Sequence, residues 1–488
     1  MQTKQWMSKT IKYINLEKML YLIGIFVCLC NAVFLFDNAI WGDEGFSLTL
    51  VRGNVKDILL GTAADVHPPL YYLILKAFVS ILGESVFIGH VISYVAFVGT
   101  CFLVISFVRK NFGLISAYIA VLFVGWTEYA MVYNVEIRMY SIALFFVTLT
   151  FCMAYKVMNN GLTNEWILMS FFALLSGYTH YFALIMVAFI ILGVFLFCVI
   201  RKQEEVGKKI GITVIVCIVG YMPWLLAMIT TVTRTVGDFW LTGIPTFREC
   251  VNMFLGHMSY SYSLFILILI LFLGYVLKHI IDVIRGKKTV HECVNVFLQQ
   301  DCKLHMSILG IWTFMGTACL GIVVSKFLQP VLLTRYLYPL IVIGAITIGI
   351  LLQYYVQKEK IGNVVVLFSV AIIVYMIVSG LNAYQTRKSI FEERKYNTNI
   401  SLEIINEYVE QGYIVVSNNN DFKWTVLDYY YPNNWSEEIV DNNMIMLWEH
   451  ELSDEEIDVM KDSYIIKDLQ NQGQIDSAKF YMYKVDKN

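Results

Sequence analysis

Two adjacent carboxylates, Asp43 and Glu44 in "WGDEGFSL", follow closely on the first long apolar run of the sequence. A carboxylate placed there could act as a general base that takes the proton of an attacking hydroxyl group. Two carboxylates could also supply hard oxygen ligands to a divalent metal ion. For the pair alone a solvated loop is the better explanation, so the other polar segments must decide.

Further polar side chains border later apolar runs, in "DVHPP", "NVEIRMY", "THYF" and "LLTRYLYP". The candidates for substrate binding are Asp65, His67, Glu136, Arg138, Tyr140, His180, Tyr181, Arg335 and Tyr336. Arg138 and Arg335 stand at the ends of apolar runs, where an arginine usually has an anionic partner. The alternative for each is an arginine that snorkels beside a structural carboxylate.

A carboxylate combined with two arginines and a histidine suits the transfer of a group away from a lipid phosphate. The carboxylate can accept the proton of the acceptor. Arginine can bind the departing phosphate through paired hydrogen bonds, and histidine offers one more donor. A site of this kind at a membrane surface would leave the lipid tail among the helices.

The elements that must position these residues are those of a membrane protein. Of the 488 residues, 58% are apolar and only 15% are charged, against roughly 25% charged residues in soluble domains. The net charge of −2, with no basic face, argues against nucleic acid as a partner. Most of the ten cysteines lie within apolar runs, which favours buried apolar roles over a disulfide framework.

Eleven apolar runs are candidates for crossing a bilayer, which takes about 20 residues. They cover approximately 19–36, 86–108, 114–131, 139–157, 166–179, 181–200, 210–229, 260–281, 305–325, 332–353 and 362–381. The segment "HPPLYYLILKAFVSILG" is too short to cross alone, so we expect it to form an interfacial helix in a large first outer loop.

Lysine and arginine collect in alternate loops, as the positive-inside rule requires of a multi-pass protein. With a cytoplasmic N-terminus, the basic groups near residues 4–18, 109–110, 201–209, 278–288 and 358–360 all fall on the cytoplasmic side. The loops that carry the candidate residues then fall on the opposite face. The sequence therefore predicts a protein of the cytoplasmic membrane whose polar cluster faces outward.

The composition becomes polar after residue 381. We expect residues 1–381 to form the transmembrane domain and residues 382–488 a small extracytoplasmic α/β domain. Periodicity predicts a helix in residues 401–410 and strands in "YIVVS", "SYIIKDL" and "KFYMYKV". The expected fold class is thus an all-α polytopic membrane protein with a small C-terminal α/β domain.

The order of "WGDEGFSL", "DVHPPLYYLILKAF", "YNVEIRMYSIALFF", "GYTHYFALIMV" and "LLTRYLYPL" resembles the GT-C superfamily of polytopic glycosyltransferases. Within it, residues 15–350 look most like bacterial relatives of the dolichyl-phosphate-mannose protein mannosyltransferases and of the aminoarabinose transferases of lipid A. The resemblance implies an inverting transfer of a sugar from a polyprenyl-phosphate donor to a cell-envelope acceptor, which could be a glycan, a glycolipid or a protein.

The resemblance also implies roles for individual residues. Asp43 would be the catalytic carboxylate, with Glu44 as its supporting or metal-binding neighbour. His67 and Arg138 would help to hold the donor phosphate or sugar, and Arg335 would meet the lipid phosphate. Glu136 is a second candidate carboxylate. A divalent metal ion is possible as a cofactor, because some members of the superfamily use one, with Asp43 and Glu44 as its candidate ligands.

A transporter or flippase of lipid-linked sugars is the alternative, since it would share the hydropathy and could share phosphate-binding arginines. Transporters usually bind their substrate near the middle of the bilayer, whereas this chain concentrates its ionisable residues at one face. A receptor that works through its C-terminal domain would leave that cluster unexplained. The sequence therefore favours the glycosyltransferase.

Overall fold

The computed structural model describes residues 2–159, 161–201, 204–235, 302–328, 330–358, 362–419 and 425–488, with isolated residues between 236 and 301. The helices of these parts are, in chain order, α1 (Gln2–Ala32), α2 (Gly42–Leu50), α3 (Val55–Ala64), α4 (Leu70–Leu82), α5 (Val86–Leu103), α6 (Arg109–Phe112), α7 (Leu114–Gly125), α8 (Glu128–Tyr133), α9 (Tyr140–Asn159), α10 (Thr163–Thr179), α11 (Tyr181–Ile200), α12 (Glu204–Thr235), α13 (Cys302–Phe327), α14 (Leu340–Lys358), α15 (Gly362–Glu410), α16 (Val426–Tyr430) and α17 (Asp454–Met460).

Within the described ranges, eight helices are long and apolar enough to cross a membrane. Ten of the eleven predicted spans coincide at least in part with helices, although α7 and α10 have only 12 and 17 residues. The predicted span 260–281 lies outside the described residues apart from isolated positions. The fold class is confirmed, and the number of crossings stays a prediction.

The first loop between apolar helices contains α2, α3 and α4. Helix α4 has 13 residues and begins directly after Pro69, because proline is tolerated where a helix starts and its missing N–H is not needed. The segment "HPPLYYLILKAFVSILG" therefore forms the short helix that its sequence predicts.

The core of the bundle is built on α7 and α14, which pack against each other over their length. A Cβ atom at Gly349 would lie 2.2 Å from the Cα atom of Ser116, so the two backbones approach too closely for any side chain there. Close packing of this kind fixes the ends of both helices, and the polar loops are attached to those ends.

A five-stranded sheet follows α15, in the order β2 (Trp435–Ser436), β1 (Ile414–Ser417), β3 (Met444–Trp448), β5 (Ala478–Lys487) and β4 (Tyr464–Ile475). Strand β1 is parallel to both of its neighbours, whereas β5 is antiparallel to β3 and β4. The three predicted strands are present as β1, β4 and β5. The sequence did not predict β2 or β3.

The predicted helix in residues 401–410 is the end of α15, a continuous helix of 49 residues. The predicted domain boundary at residue 381 lies inside this helix. Helix α15 also packs against β4, and α16 packs against α2. The C-terminal sheet is thereby joined to the first loop, next to the candidate site.

Candidate active site

A cavity of about 760 Å³ lies where the first loop, the segment after α8 and the segment before α14 come together. Six of the predicted site residues line it: Asp43, Asp65, His67, Arg138, Arg335 and Tyr336. Further lining residues are Trp41, Gly42, Phe46, Val66, Tyr129, Tyr133, Leu333, Thr334 and Thr425. Segments far apart in sequence therefore converge on one polar cavity.

Helix α2 separates the two neighbouring carboxylates. Asp43 and Glu44 stand in its first turn, where negative charge is favourable to the helix dipole. Successive residues of an α-helix point about 100° apart. The Asp43 side chain consequently reaches the cavity and is 30% exposed, whereas Glu44 points into the protein and is buried.

Two arginines meet the Asp43 carboxylate. Its Oδ2 atom lies 3.1 Å from Nη1 of Arg335 and 3.7 Å from Nη2 of Arg138. Arg335 stands in a short 3₁₀ turn, Thr334–Leu337, at the entry to α14. Its guanidinium also lies 5.3 Å from the ring centre of Trp41, close enough for a cation–π interaction. Asp43 and Arg335 thus form a partly exposed ion pair at the cavity.

Arg138 is the deeper of the two arginines, with a side chain only 2% exposed. Its Nη1 atom donates to the hydroxyl groups of Tyr72 at 3.0 Å and Ser47 at 3.3 Å, and to the backbone oxygen of Asp43 at 3.3 Å. A buried guanidinium is stable only when its donors have partners. Arg138 therefore ties α2 and α4 together behind the cavity.

His67 and Asp65 form a second pair on the same wall. Nδ1 of His67 lies 3.0 Å from Oδ2 of Asp65, and Nη2 of Arg138 lies 3.5 Å from Nε2 of His67. Burial and the nearby Arg138 lower the pKa of His67. Burial raises the pKa of Asp65, but its hydrogen bond to His67, the nearby positive charge of Arg138 and the backbone N–H of Val66 together outweigh burial, and the net pKa is lowered. A neutral imidazole then donates from Nδ1 to Asp65 and accepts from Arg138 at Nε2.

The Glu44 carboxylate faces away from the cavity and holds the segment that carries Arg138. Oε1 of Glu44 accepts the backbone N–H of Ile137 at 2.9 Å, and Oε1 lies 3.8 Å from Nδ1 of His90. Nδ1 of His90 in turn donates to the backbone oxygen of Val135 at 2.7 Å. Burial raises the pKa of Glu44. Both side chains thus fix the backbone on either side of Glu136.

Glu136 is buried beside this cluster and does not line the cavity. Among the described residues its Oε2 atom has no hydrogen-bond partner. Burial, with Glu44 and Asp43 nearby, raises the pKa of Glu136 to about 8. Glu136 is accordingly a protonated carboxylic acid at neutral pH.

Of the remaining predicted residues, His180 and Tyr140 pack against Tyr336, and Tyr181 contacts Trp224. The ring of His180 lies 4.8 Å from that of Tyr336 and 5.9 Å from that of Tyr140. Nδ1 of His180 accepts the N–H of Phe182 and so caps α11. The hydroxyl of Tyr181 accepts from Nε1 of Trp224 at 3.3 Å. These residues adjoin the cavity lining without being part of it.

Several residues of the site carried no assigned role in the sequence. Trp41 lies in "WGDEGFSL" and Tyr72 in "DVHPPLYYLILKAF". Their closeness in sequence to Asp43 and His67 could have indicated that they belong to the site. Ser47 follows Asp43 by one helical turn, which places both on one face. Thr425 lines the cavity from the C-terminal part of the chain, and no local pattern marks it.

The residues proposed for a metal ion do not fit one together. Within the ranges that the structure describes, no three His, Cys, Asp or Glu side chains form a candidate metal site. Asp43 is paired with two arginines, and Glu44 points away from the cavity and accepts the backbone N–H of Ile137.

A family model described as dolichyl-phosphate-mannose-protein mannosyltransferase matches residues 66–226. Among solved structures, apo ArnT from Cupriavidus metallidurans matches with a TM-score of 0.58 and 8% identity, over 96% of this chain and 98% of that chain. ArnT bound to undecaprenyl phosphate matches with a TM-score of 0.57 and 9% identity, over the same shares. No curated protein sequence matches this chain.

The identities to ArnT are low, so these structures establish the fold, and the family model adds a sequence match around His67, Glu136 and Arg138. Both agree with the resemblance carried by the motifs. The chain is a multi-pass membrane protein with the fold of ArnT, and its residues 66–226 match the dolichyl-phosphate-mannose-protein mannosyltransferase model.

Proposed function

We propose that this protein transfers a sugar from a polyprenyl-phosphate donor to a hydroxyl group of a cell-envelope acceptor, with inversion at the anomeric carbon. The observation that carries the proposal is the meeting of Asp43 with Arg335 and Arg138 at one cavity. In a transfer with phosphate as the leaving group, the base accepts the proton of the acceptor and the two cations stabilise the negative charge of the phosphate. The undecaprenyl phosphate bound by ArnT supports the class of donor.

The step is a single displacement. The acceptor oxygen bonds to the anomeric carbon while its proton passes to Asp43. The bond between that carbon and the phosphate oxygen breaks, and the electron pair leaves with the phosphate. Arg335, the more exposed arginine, meets the phosphate oxygens, which compete with Asp43 for its guanidinium. This exchange frees the Asp43 carboxylate when the donor arrives.

Arg138, His67 and Glu44 support this arrangement in different ways. Nη2 of Arg138 lies 3.7 Å from the Asp43 carboxylate, and its positive charge would also favour a bound phosphate. His67, neutral and bonded to Asp65, orients Arg138 instead of donating to the phosphate. Glu44 fixes the backbone next to Arg138. Asp43 is therefore the proposed base, and the other residues keep it and the cations in place.

The acceptor side is proposed to involve the C-terminal domain, residues 382–488, because Thr425 of that domain lines the cavity together with Phe46 and Tyr129. We place this domain and the cavity on the outer face of the cytoplasmic membrane, with the N-terminus inside. The support for this orientation is the sorting of basic loops to one side.

The test is transfer by the purified, full-length protein from radiolabelled polyprenyl-phosphate sugars to a membrane extract. We expect Asp43→Asn to lower the transfer rate by roughly 10²–10⁴-fold, the range for loss of a general base. Asp458→Asn, which alters an exposed carboxylate paired with Lys461, is the control. Full activity of Asp43→Asn, with a normal melting temperature, would exclude Asp43 as the base.

A further inference from the structure

One arginine joins two carboxylates from distant parts of the chain. Arg394, in the C-terminal half of α15, pairs with Asp37, which ends the turn after α1. Its Nη1 atom also lies 2.6 Å from Oδ1 of Asp476, in the turn between β4 and β5. The Asp37 and Asp476 side chains are only 4% and 10% exposed. Buried ion pairs of this kind require well-defined geometry.

The Asp476 side of this connection is fixed to α15 by several hydrogen bonds. The backbone N–H of Asp476 donates to Oγ1 of Thr398 at 3.1 Å. The N–H of Gln474 donates to Oγ of Ser401 at 2.8 Å. The hairpin turn of the sheet therefore cannot move independently of the helix.

The Asp37 side leads to the proposed base. Oδ1 of Asp37 accepts the N–H of Ala39 at 3.0 Å, which fixes the start of the segment that leads to α2. The hydroxyl of Tyr430, at the end of α16, donates to the backbone oxygen of Asn38. Asp37 lies only six positions before Asp43, so the conformation of residues 37–41 sets where α2 begins.

We propose that Arg394 is a positioning residue for sugar transfer, which joins the C-terminal sheet to the segment 37–41 and so fixes the Asp43 carboxylate in the cavity. The inference rests on the proposed function of Asp43. Arg394 is not among the cavity-lining residues, so it acts through Asp37 and not on the substrate. The C-terminal sheet thereby helps to position the proposed base, Asp43.

The experiment uses Arg394→Gln and Asp476→Asn in the full-length protein, at a temperature well below either melting temperature. We expect kcat for transfer to fall at least tenfold in both variants. The Kd for undecaprenyl phosphate should stay within threefold of the wild-type value, because Arg335 and Arg138 are untouched. The control is Lys388→Gln on the same helix, whose partner Glu392 lies 3.6 Å away in an exposed pair.

Two further comparisons distinguish positioning from mere anchoring. The double variant should be no slower than the slower single variant, since both break the same connection. Arg394→Lys keeps the charge and should recover part of kcat. A kcat per folded molecule equal to that of the wild type, with only the melting temperature lowered, would overturn the inference.

Hydrogen exchange in the peptide that spans residues 37–50 needs no substrate. We expect exchange there to become at least tenfold faster in Arg394→Gln and Asp476→Asn, and to be unchanged in Lys388→Gln. Unchanged exchange in the first two variants would overturn the inference. A wild-type protein that binds undecaprenyl phosphate but transfers no sugar would instead contradict the proposed function, while this measurement would still decide whether Arg394 positions α2.

Discussion

The cations around Asp43 differ in depth, and the difference assigns them different tasks. Arg138 is enclosed by Tyr72, Ser47 and the backbone of α2, whereas the Arg335 side chain is 19% exposed. The Nη1 atom of Arg138 already has three acceptors, so it gains little from a new ligand. Arg335 has the freer donors, so the incoming phosphate is expected to bind there first.

Replacing Arg335 with alanine should therefore weaken donor binding. A hydrogen bond to a charged group contributes about 1.5–3 kcal/mol, so the Kd for undecaprenyl phosphate should rise roughly 10–100-fold. The measurement is equilibrium binding in detergent at fixed salt. Arg109→Ala in α6, which removes an ion pair to Glu17 in α1, is the control, and equal affinity of the two variants would exclude Arg335 as the phosphate ligand.

Glu136 provides a prediction about pH. Its folded pKa of about 8 lies above the unfolded value near 4.3, so the folded state binds the proton more tightly. Stability from this group is fully present below the unfolded pKa and is lost as the pH rises through 8. The wild-type melting temperature should therefore fall between pH 5 and pH 8.

The matched variant is Glu136→Gln, which keeps the shape and cannot ionise. Its melting temperature should fall less over the same pH interval, when measured by light scattering or intrinsic fluorescence in one detergent. The same slope in both proteins would show that Glu136 does not titrate in this range. The control is Glu392→Gln, which removes an exposed carboxylate and should leave the pH dependence of the melting temperature unchanged.

At the scale of elements, the contact between α2 and the segment before α16 depends on a glycine. A Cβ atom at Gly45 would lie 2.7 Å from the backbone oxygen of Thr425. Backbone cannot move aside as a flexible side chain can, so overpacking here should cost roughly 1–3 kcal/mol. Gly45→Ala should lower the melting temperature and reduce transfer, because Thr425 and α2 both line the cavity.

Gly61 in α3 is the matched control. A Cβ atom there would meet only the end of the Leu50 side chain, at 2.6 Å, which can rotate away. Alanine is also the better helix former by about 1 kcal/mol, so Gly61→Ala should be neutral or stabilising. If Gly45→Ala were equally harmless, the contact between α2 and the Thr425 segment would not support the cavity.

Local signals explain which elements the sequence could predict. Long apolar runs and the polar motifs at their ends are local, and so are the patterns of β1, β4 and β5. Strand β3, "MIMLW", is buried through Met444 to Leu447, so it shows no alternation that would distinguish it from a short helix. Helix α15 extends past residue 381 because no proline follows Gly380 before residue 410, although the polarity changes there.

Contacts between distant segments could not be predicted from the sequence, because they depend on the packing of the whole chain and not on local patterns. The pairing of Asp43 with Arg335 joins residues nearly 300 positions apart, and only their common place at loop ends hinted at it. The direction of Glu44 follows from helix geometry once α2 is known, but its bond to Ile137 does not. Thr425 and Arg394 reach the first loop through the packing of the whole chain.

At the scale of the whole molecule, the proposed orientation can be tested directly. The exposed Asp441, near β3, is placed outside the cell, and Lys110, in α6, is placed inside. In a background without native cysteines, Asp441→Cys should react with an impermeant thiol reagent in intact cells. Lys110→Cys should react only after the cells are permeabilised. The reverse labelling pattern would put the cavity on the cytoplasmic face, so that the donor would have to bind from inside the cell. It would contradict the orientation proposed from the sorting of basic loops.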